Sequence, residues 1–417
     1  MALALALYRG LTGPAAPLLI ARDAARLRRA GLAPDRIAER RGKASLARPA
    51  GAPLIWINAV SMGESLSVQP VIAALCAAGA HVLLTTTTAT AAQMAGDRLP
   101  EGAWHQFAPL DLPGPVTRFL DHWRPDAAVF VESDLWPRQI LAAQARGIPL
   151  ALINARLSQG SLRGWSAAPR SARRIFSAFD LVRVQTASTA SALKRLGAPR
   201  AAITGDLKAV AAQPPVDPAA HAALSAAIGT RPLWLAASTH PGEEEACATA
   251  HPTLPDEALL ILAPRHPERG PEIAAQLSAQ GWRTALRSTG ALPDASTQIY
   301  IADTLGELGL FYSLAPLAFI GGSLVALGGH NPYEAAHFGT ALLTGPNRSS
   351  FKAPYDALIE AGACVSVPDA AALPAALRAA LAPEALATMR AAHAGLPKPD
   401  PDLPQQIASD IMALSRR

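Results

Sequence analysis

The chain has 417 residues, of which 50% are hydrophobic and 17% are charged. This composition excludes a disordered chain, and the length exceeds one ordinary core, so we expect two domains of about 150 to 200 residues each. Cys76, Cys247 and Cys364 lie far apart in Ala-rich, apolar surroundings. Such positions are poor for a disulfide framework or a zinc site, and we interpret these cysteines as small buried hydrophobic residues.

The formal charge of +5 is concentrated near the N-terminus. Residues 1–50 carry a surplus of seven basic residues, which leaves the rest of the chain at −2. An apolar stretch precedes the basic residues, the reverse of a cleaved signal peptide. Because Arg22, Arg26 and Arg29 share one helical face, we predict that residues 1–43 lie on or dip into a membrane leaflet. A true span and a solvated basic helix are the alternatives.

Short apolar runs alternate with Ala-rich helical segments, which predicts parallel sheets. The predicted strands cover residues 54–60, 81–87, 127–131, 149–153, 181–185, 232–237, 258–263, 298–302, 317–321 and 341–344. Three prolines near residue 215 indicate a linker. The predicted fold is α/β, with two Rossmann-like, doubly wound domains that face each other across a cleft. The predicted segments after the N-terminal one are a domain at 44–208, a linker at 209–230, a domain at 231–395 and a helical segment at 396–417 that packs on the first domain.

The most specific stretch is FIGGSLVALGGHNPYEAA, which follows a predicted strand in the second half. Gly321 and Gly322 permit close approach of the backbone to a ligand. Residues 331–337 resemble a helix start with Pro332 in the first turn, so the free N–H groups there would face an anion. Glu334 is placed to accept hydrogen bonds from ribose hydroxyls or to cap the helix. Together these features predict a nucleotide site.

The glycine spacing matches neither a Walker loop nor a dinucleotide fingerprint, which removes the main support for ATP hydrolysis and hydride transfer. The segments STHPGEEE and PRHPER add hydroxyl and basic groups that suit a phosphate. These residues are Ser238, Thr239, His240, Arg265, His266 and Arg269. A metal site is the alternative, with His240, Glu243, His266, His330 and His337 as its candidate ligands. Because HExxH is absent and no tight ligand pair stands out, we expect no catalytic metal.

In the first half, Glu64 stands at the start of a helix that follows the first predicted strand. It is either a first-turn acid that stabilises the helix or a carboxylate base exposed to substrate. Glu132 ends a buried strand, where a lone charge is costly, so it requires a partner such as Arg156 or Lys208. Asn154 holds either a ligand or the neighbouring loop.

Taken in order, the motifs resemble those of one known family, the 3-deoxy-D-manno-octulosonic acid (Kdo) transferases of lipid A assembly. The motifs are AVSMGES, VFVESDLWP, LINARLS, GDLK, STHPGEEE, PRHPER and FIGGSLVALGGHNPYEAA. The N-terminal RIAERRG also resembles that family's RxxERxG element. The resemblance runs from about residue 8 to about residue 351, and the combination is more specific than any single motif.

This resemblance implies a GT-B glycosyltransferase that transfers Kdo from CMP-Kdo to a lipid A precursor, with inversion. It implies that no metal, cofactor or nucleic-acid partner takes part. It also implies a place at the cytoplasmic face of the anionic inner membrane. Glu64 matches the family's proposed base. The implied substrate-binding residues are Ser61, Gly63, Glu132, Asn154, Arg156 and Lys208. The implied CMP-binding residues are Ser238, Thr239, His240, Arg265, His266, Gly322, Ser323, Asn331 and Glu334.

Four positions depart from the family pattern. Ser133, Asp134 and Arg138 stand where Thr, Glu and Asn are usual, and Asp206 replaces Asn. We expect Arg138 and Asp206 to affect acceptor fit and the number of Kdo units more than the reaction class. Two other functions stay open: a sugar-nucleotide epimerase or hydrolase on the same scaffold, and a non-catalytic scaffold of lipopolysaccharide assembly.

Overall fold

A computed structural model describes residues 3–198, 200–210, 213–393 and 400–416. The chain divides into two compact units, the first comprising Met1–Ala211 with Pro399–Arg417 and the second Ala212–Lys398. Within its described residues, each unit contains a seven-stranded parallel sheet with helices on both faces. This confirms the predicted fold class of two Rossmann-like sheets.

The first unit has the strand order β3-β2-β1-β4-β5-β6-β7. Its strands are β1 (Leu54–Asn58), β2 (His81–Thr86), β3 (Ala103–Phe107), β4 (Ala127–Val131), β5 (Leu150–Ala155), β6 (Leu181–Val184) and β7 (Ala201–Ile203). Its helices are α1 (Leu3–Thr12), α2 (Ala16–Arg29), α3 (Pro34–Glu39), α4 (Met62–Ser67), α5 (Gln69–Ala77), α6 (Ala89–Arg98), α7 (Pro113–Trp123), α8 (Pro137–Ala145), α9 (Gln159–Ala167), α10 (Pro169–Phe176) and α11 (Ala187–Leu196). The direction of strand addition reverses between β1 and β4. Ligands of open parallel sheets bind at the carboxyl ends of the strands at such a switch point.

The second unit has the order β10-β11-β9-β8-β12-β13-β14, and its switch point lies between β8 and β12. Its strands are β8 (Leu233–Thr239), β9 (Leu259–Pro264), β10 (Thr284–Leu286), β11 (Ile299–Ile301), β12 (Leu317–Ile320), β13 (Ala341–Thr344) and β14 (Cys364–Ser366). Its helices are α12 (Pro218–Ile228), α13 (Glu243–Ala250), α14 (Gly270–Ala279), α15 (Leu308–Leu314), α16 (Tyr333–Ala336), α17 (Lys352–Glu360), α18 (Leu373–Ala380) and α19 (Pro383–Ala392). The last helix of the chain, α20 (Leu403–Ser415), belongs to the first unit and packs on α5 there.

One segment differs from its prediction, because part of the expected linker is helical. Residues 218–228 form α12, which begins at Pro218, and the side chain of Asp217 accepts hydrogen bonds from the first free N–H groups. Proline is favoured in the first helical turn, where its missing N–H has no partner to lose. Leu224 and Ile228 are buried in the core of the second unit. The other domain boundaries stay predictions.

The N-terminal segment is attached to the first unit by α1. Leu5 lies in the same apolar cluster as Phe176 of α10, and the hydroxyl of Tyr8 donates a 2.6 Å hydrogen bond to Asp111. Among the described residues, no single helix is long and apolar enough to cross a membrane. The pair of residues 4–12 and 16–29, bent by 71°, meets the length and composition of a span only when taken together.

The RIAERRG element lies along β3, an edge strand of the first sheet. Glu39 is fully buried and accepts a 2.8 Å hydrogen bond from the backbone N–H of Phe107. The guanidinium of Arg36 donates to the carbonyl oxygen of His105 at 3.3 Å and to Glu39 at 2.8 Å. Arg40 donates to the carbonyl of Ala108 just beyond the strand. These side chains therefore take the outward-facing backbone groups that another strand would otherwise pair.

Candidate active site

Glu64 lies at the switch point of the first sheet, in the first turn of α4 after β1. Ser61 is the N-cap residue, and its hydroxyl accepts a hydrogen bond from the N–H of Glu64 at 3.3 Å. The Glu64 carboxylate reaches back to accept a 2.8 Å hydrogen bond from the N–H of Val60. The side chain is only 6% exposed. Glu64 therefore orders the turn that precedes the helix, and the same hydrogen bond fixes the orientation of its carboxyl group.

The surroundings of Glu64 favour its protonated form. Burial raises the pKa of Glu64 to about 8, and the carboxylates of Glu132 and Asp134 add to the rise. The Val60 N–H and the Lys208 ammonium oppose it. A carboxyl group with a pKa near the working pH is suited to exchanging protons with a hydroxyl group.

Glu132 and Asp134 follow β4, the neighbour of β1 at the switch point. Glu132 is buried and forms ion pairs with Arg156, at 2.7 Å, and with Lys208, which confirms that it requires a cationic partner. Burial raises the pKa of Asp134 above its usual range, and hydrogen bonding to Glu64 opposes that rise. The structure thus brings three carboxyl groups and two cations together.

The backbone at this site is held in uncommon conformations. Glu132 and Asn154 have φ values of 56° and 50°, in the left-handed region that non-glycine residues seldom adopt. Asn154 lies at an irregularity in the pairing of β5 with β6, and its side-chain oxygen accepts a 3.0 Å hydrogen bond from the N–H of Leu207. Asn154 therefore holds the GDLK loop that carries Lys208. Such strain persists only where the surrounding structure enforces it, and it is concentrated at functional sites.

The remaining predicted residues of this half divide into near and distant ones. Gly63 is an exposed residue of the α4 first turn, next to Glu64. Asp206 lies in the GDLK loop, where it accepts a 2.9 Å hydrogen bond from the N–H of Lys208. Arg138 points elsewhere, to the C-terminal end of α1, where its guanidinium donates to the carbonyl of Arg9 at 2.6 Å and to the hydroxyl of Thr12 at 2.8 Å. Arg138 is engaged with the N-terminal helix, and the expectation that it affects acceptor fit is not supported by these contacts.

In the second unit, Glu243 occupies the switch point between β8 and β12. Its carboxylate is fully buried and accepts four backbone N–H hydrogen bonds. These come from His240 at 3.1 Å, Gly322 at 2.7 Å, Ser323 at 3.0 Å and Leu324 at 2.9 Å. The N–H groups of Gly322 and Ser323, which we expected to contact a nucleotide, are therefore occupied by Glu243. The Ser323 hydroxyl is also buried and bonds to the backbone of Ile320 and Gly345, so it organises the turn instead.

A basic cluster stands beside Glu243. The Nε2 atoms of His240 and His330 are 2.8 Å apart, and the His266 ring lies 6.0 Å from that of His240. Burial lowers the pKa of His330 to about 4, and the neighbouring His240, Arg265 and His266 add to the decrease. Burial also lowers the pKa of His240. Within the described part of the chain, Arg265 has no ion-pair partner, so its charge is available to an anion. Phosphate suits such a cluster.

Other predicted nucleotide contacts contribute to shape. Ser238 has a φ of 55° at an irregularity between β8 and β9, and Thr239 is fully buried. The expected helix at residues 331–337 is a single turn, α16. The side chain of Asn331 accepts from the N–H of Tyr333 at 3.1 Å and donates to Glu334 at 3.3 Å. The N–H of Tyr333, one of those predicted to face an anion, is therefore already bonded.

Comparison with known proteins identifies the family. A family described as 3-deoxy-D-manno-octulosonic-acid transferase (kdotransferase) matches residues 35–211. The 3-deoxy-D-manno-octulosonic acid transferase of Bordetella pertussis is 38% identical over 397 residues, which cover 89% of this chain and 91% of that protein. A probable mitochondrial 3-deoxy-D-manno-octulosonic acid transferase of Arabidopsis thaliana is 39% identical, over 81% of this chain and 79% of its own. The chain belongs to the Kdo transferase family.

Solved structures show that the fold of this Kdo transferase is of the GT-B type. A Staphylococcus aureus MnaA structure with UDP aligns with a TM-score of 0.60 and 16% identity, over 86% of this chain and 96% of that one. MurG of Acinetobacter baumannii aligns with a TM-score of 0.52 and 13% identity, over 87% of this chain and 100% of that one. At this identity the likeness concerns the fold alone.

The structure adds the side chains of Asp134 and Glu243 to the candidate site of this Kdo transferase. In the sequence, Asp134 was noted only as a departure from the family pattern and Glu243 only as a candidate metal ligand. Among the described residues, no group of three or more His, Cys, Asp or Glu side chains is arranged to hold a metal ion. The signal for Glu243 was its place in STHPGEEE, directly after a strand, but its partners near Gly322 are about 80 residues away in the chain.

Proposed function

We propose that this Kdo transferase transfers Kdo from CMP-Kdo to a hydroxyl group of a lipid A precursor of the lipid IVA type, with inversion at the anomeric carbon. The observation that carries the proposal is the carboxyl group of Glu64. It is buried at the switch point of the first sheet, its orientation is fixed by the Val60 N–H, and its pKa is raised to about 8. Family membership supplies the sugar that is transferred.

In the proposed reaction, Glu64 in its ionised form accepts the proton of the attacking hydroxyl. The acceptor oxygen forms a bond to the anomeric carbon of Kdo while the bond from that carbon to the phosphate oxygen breaks, and CMP leaves with the bonding electron pair. Positive charge develops on the sugar during this displacement, and the carboxylates of Glu132 and Asp134 stabilise it. Lys208 and Arg156 hold Glu132 in place.

For the donor, we assign the phosphate of CMP to the basic cluster of the second unit. Arg265 would supply the positive charge, and the rings of His266 and His240 would supply hydrogen-bond donors. Glu334 and Asn331 lie at the start of α16 and would face the ribose hydroxyls. This assignment keeps the predicted CMP site, except that Gly322 and Ser323 organise the turn and do not contact CMP.

We further propose that the enzyme works at the cytoplasmic face of an anionic inner membrane. Leu7, Leu11 and Leu18 on α1 and α2 are exposed by 56%, 71% and 72%. Arg28 and Arg29 at the end of α2 are exposed as well. Apolar side chains beside arginines are typical of a helix lying at the surface of anionic lipid.

The test is to incubate the purified protein with CMP-Kdo and a tetra-acylated lipid A precursor and to measure the product mass. We expect a gain of one or more Kdo residues in the wild type and none in Glu64→Gln, with CMP binding retained. No mass gain in the wild type with competent substrates would overturn the proposal. Turnover of CMP-Kdo at the same rate without acceptor would indicate a hydrolase instead.

A further inference from the structure

Glu243 connects two turns that are distant in the chain. One is the turn at residues 240–243 that leads from β8 into α13, and the other is the turn at residues 321–324 after β12. One carboxylate oxygen accepts from the N–H groups of His240 and Gly322, and the other accepts from Ser323 and Leu324. Four donors compensate the burial of the charge.

The first turn carries one histidine of the pair, and the second turn supports the other. His240 belongs to the first turn, and its Nε2 bonds to Nε2 of His330. The His330 ring packs directly on Gly322, where an added Cβ would lie 3.0 Å from the ring. The backbone of His330 is held by an N–H bond to Gly321 and by the Tyr355 hydroxyl at 2.8 Å. A shift of either turn would therefore separate the two rings.

We propose that Glu243 is a positioning residue of the donor site: its carboxylate locks the two turns together and thereby fixes the His240–His330 pair next to Arg265. The inference rests on the proposed function, since it takes the basic cluster to be the phosphate site of CMP-Kdo. Glu243 itself contacts no substrate, because it is fully buried. Its effect is on donor affinity and not on the chemical step.

The experiment measures CMP binding by calorimetry and steady-state kinetics on the full chain. Glu243→Gln keeps the shape of the side chain but replaces one oxygen by an NH₂ group, which faces two N–H donors and repels them. We expect Kd for CMP and KM for CMP-Kdo to rise at least tenfold, with kcat within threefold of the wild type. The matched control is Glu245→Gln in the same helical turn, where the carboxylate accepts a single N–H bond from Gly242. Its Kd and KM should stay within twofold.

A double-mutant cycle separates positioning from general loss of structure. His330→Ala alone should also weaken CMP binding at least fivefold, and Glu243→Gln combined with it should add less than twofold, because both changes disrupt the same pair. Additive effects would overturn the inference. A folded Glu243→Gln protein that binds CMP as the wild type does would overturn it too.

The remaining outcomes are also decisive. A lower melting temperature and a lower kcat at unchanged KM would show a purely structural role for Glu243. If Glu243→Gln does not fold, His330→Ala decides alone, and unchanged CMP affinity in that variant would refute the role of the pair. If the wild type itself does not bind CMP, the proposed donor fails first, which distinguishes that failure from the failure of the inference.

Discussion

The charge of Asp134 raises the pKa of Glu64, whereas hydrogen bonding to Glu64 lowers the pKa of Asp134. Two carboxylates in one buried site repel each other, so the pair retains a proton at a higher pH than either group would alone. Burial is the largest cause of the raised pKa of Glu64, and Glu132 and Asp134 follow. The free enzyme at neutral pH therefore holds Glu64 mainly protonated, and its activity as a base depends on pH.

We expect kcat/KM of the wild type to rise as the pH increases through about 8, where Glu64 ionises, because its pKa is raised to that value. Asp134→Asn removes a negative neighbour, which lowers the pKa of Glu64 and shifts this rise to lower pH. The measurement is the pH profile of kcat/KM for both proteins. An unshifted profile in Asp134→Asn would refute the coupling of the two residues.

The same pKa predicts a pH-dependent stability difference for Glu64→Gln. The folded state binds the proton of Glu64 more tightly than the unfolded state, whose pKa is near 4.5. The wild type therefore loses stability as the pH rises from about 4.5 to about 8, and the glutamine variant avoids that loss. At pH 8.5 we expect Glu64→Gln to be more stable by at least about 1.4 kcal/mol, the equivalent of one pKa unit. Urea titrations at pH 5 and pH 8.5 measure the difference, which should shrink at pH 5.

Glu132 is a buried member of two ion pairs. Glu132→Gln removes the charge that Arg156 and Lys208 both contact, and the Lys208 side chain is only 10% exposed. We expect a loss of about 2–4 kcal/mol in the free energy of unfolding, because removing one partner of a buried ion pair is costly. The control is Asp121→Asn, which breaks a pair with Arg146 in which the aspartate is 60% exposed. It should cost less than about 1 kcal/mol, and equal losses in the two variants would contradict the prediction.

Arg138 stabilises the C-terminal end of α1, where the last carbonyl groups of a helix have no partner within it. Its guanidinium bonds to the carbonyl of Arg9 and the hydroxyl of Thr12. In Arg138→Met we expect amide hydrogen exchange in residues 5–12 to accelerate, because the free energy of local opening falls by about 1–2 kcal/mol. Exchange in β1 should not change. Arg146→Met, which removes an exposed ion pair, serves as the control, and unaltered exchange in α1 of Arg138→Met would refute the role.

The strands that the sequence failed to predict share one position in the fold. All ten predicted strands are present, and the four that were missed are β3, β7, β10 and β14. These are the two outer strands of each sheet. An outer strand is covered on fewer sides and is shorter or more polar, so the continuous apolar runs that mark a buried parallel strand are absent there.

The candidate site was predictable where it follows the strand ends and unpredictable where it depends on long-range contacts. Glu64, Glu132 and Lys208 come together because β1, β4 and the GDLK loop converge at one edge of the sheet. No local pattern indicates that Glu243 would take the N–H groups of Gly322, because that depends on how two turns pack. The role of Arg138 was hidden for the same reason, since its partner Thr12 is 126 residues away.

The hydrogen bonds of Glu39 also affect how readily the chain aggregates during synthesis and purification. A parallel sheet with a bare outer strand offers its backbone to any other extended segment, including the same strand of a second copy. Glu39 accepts from the N–H of Phe107, and Arg36 donates to the carbonyl of His105. Because these backbone groups are already bonded, that outer edge of the first sheet is closed to such pairing. A protein shortened to begin after residue 43 would lose this cover, and it should aggregate even where its catalytic groups are intact.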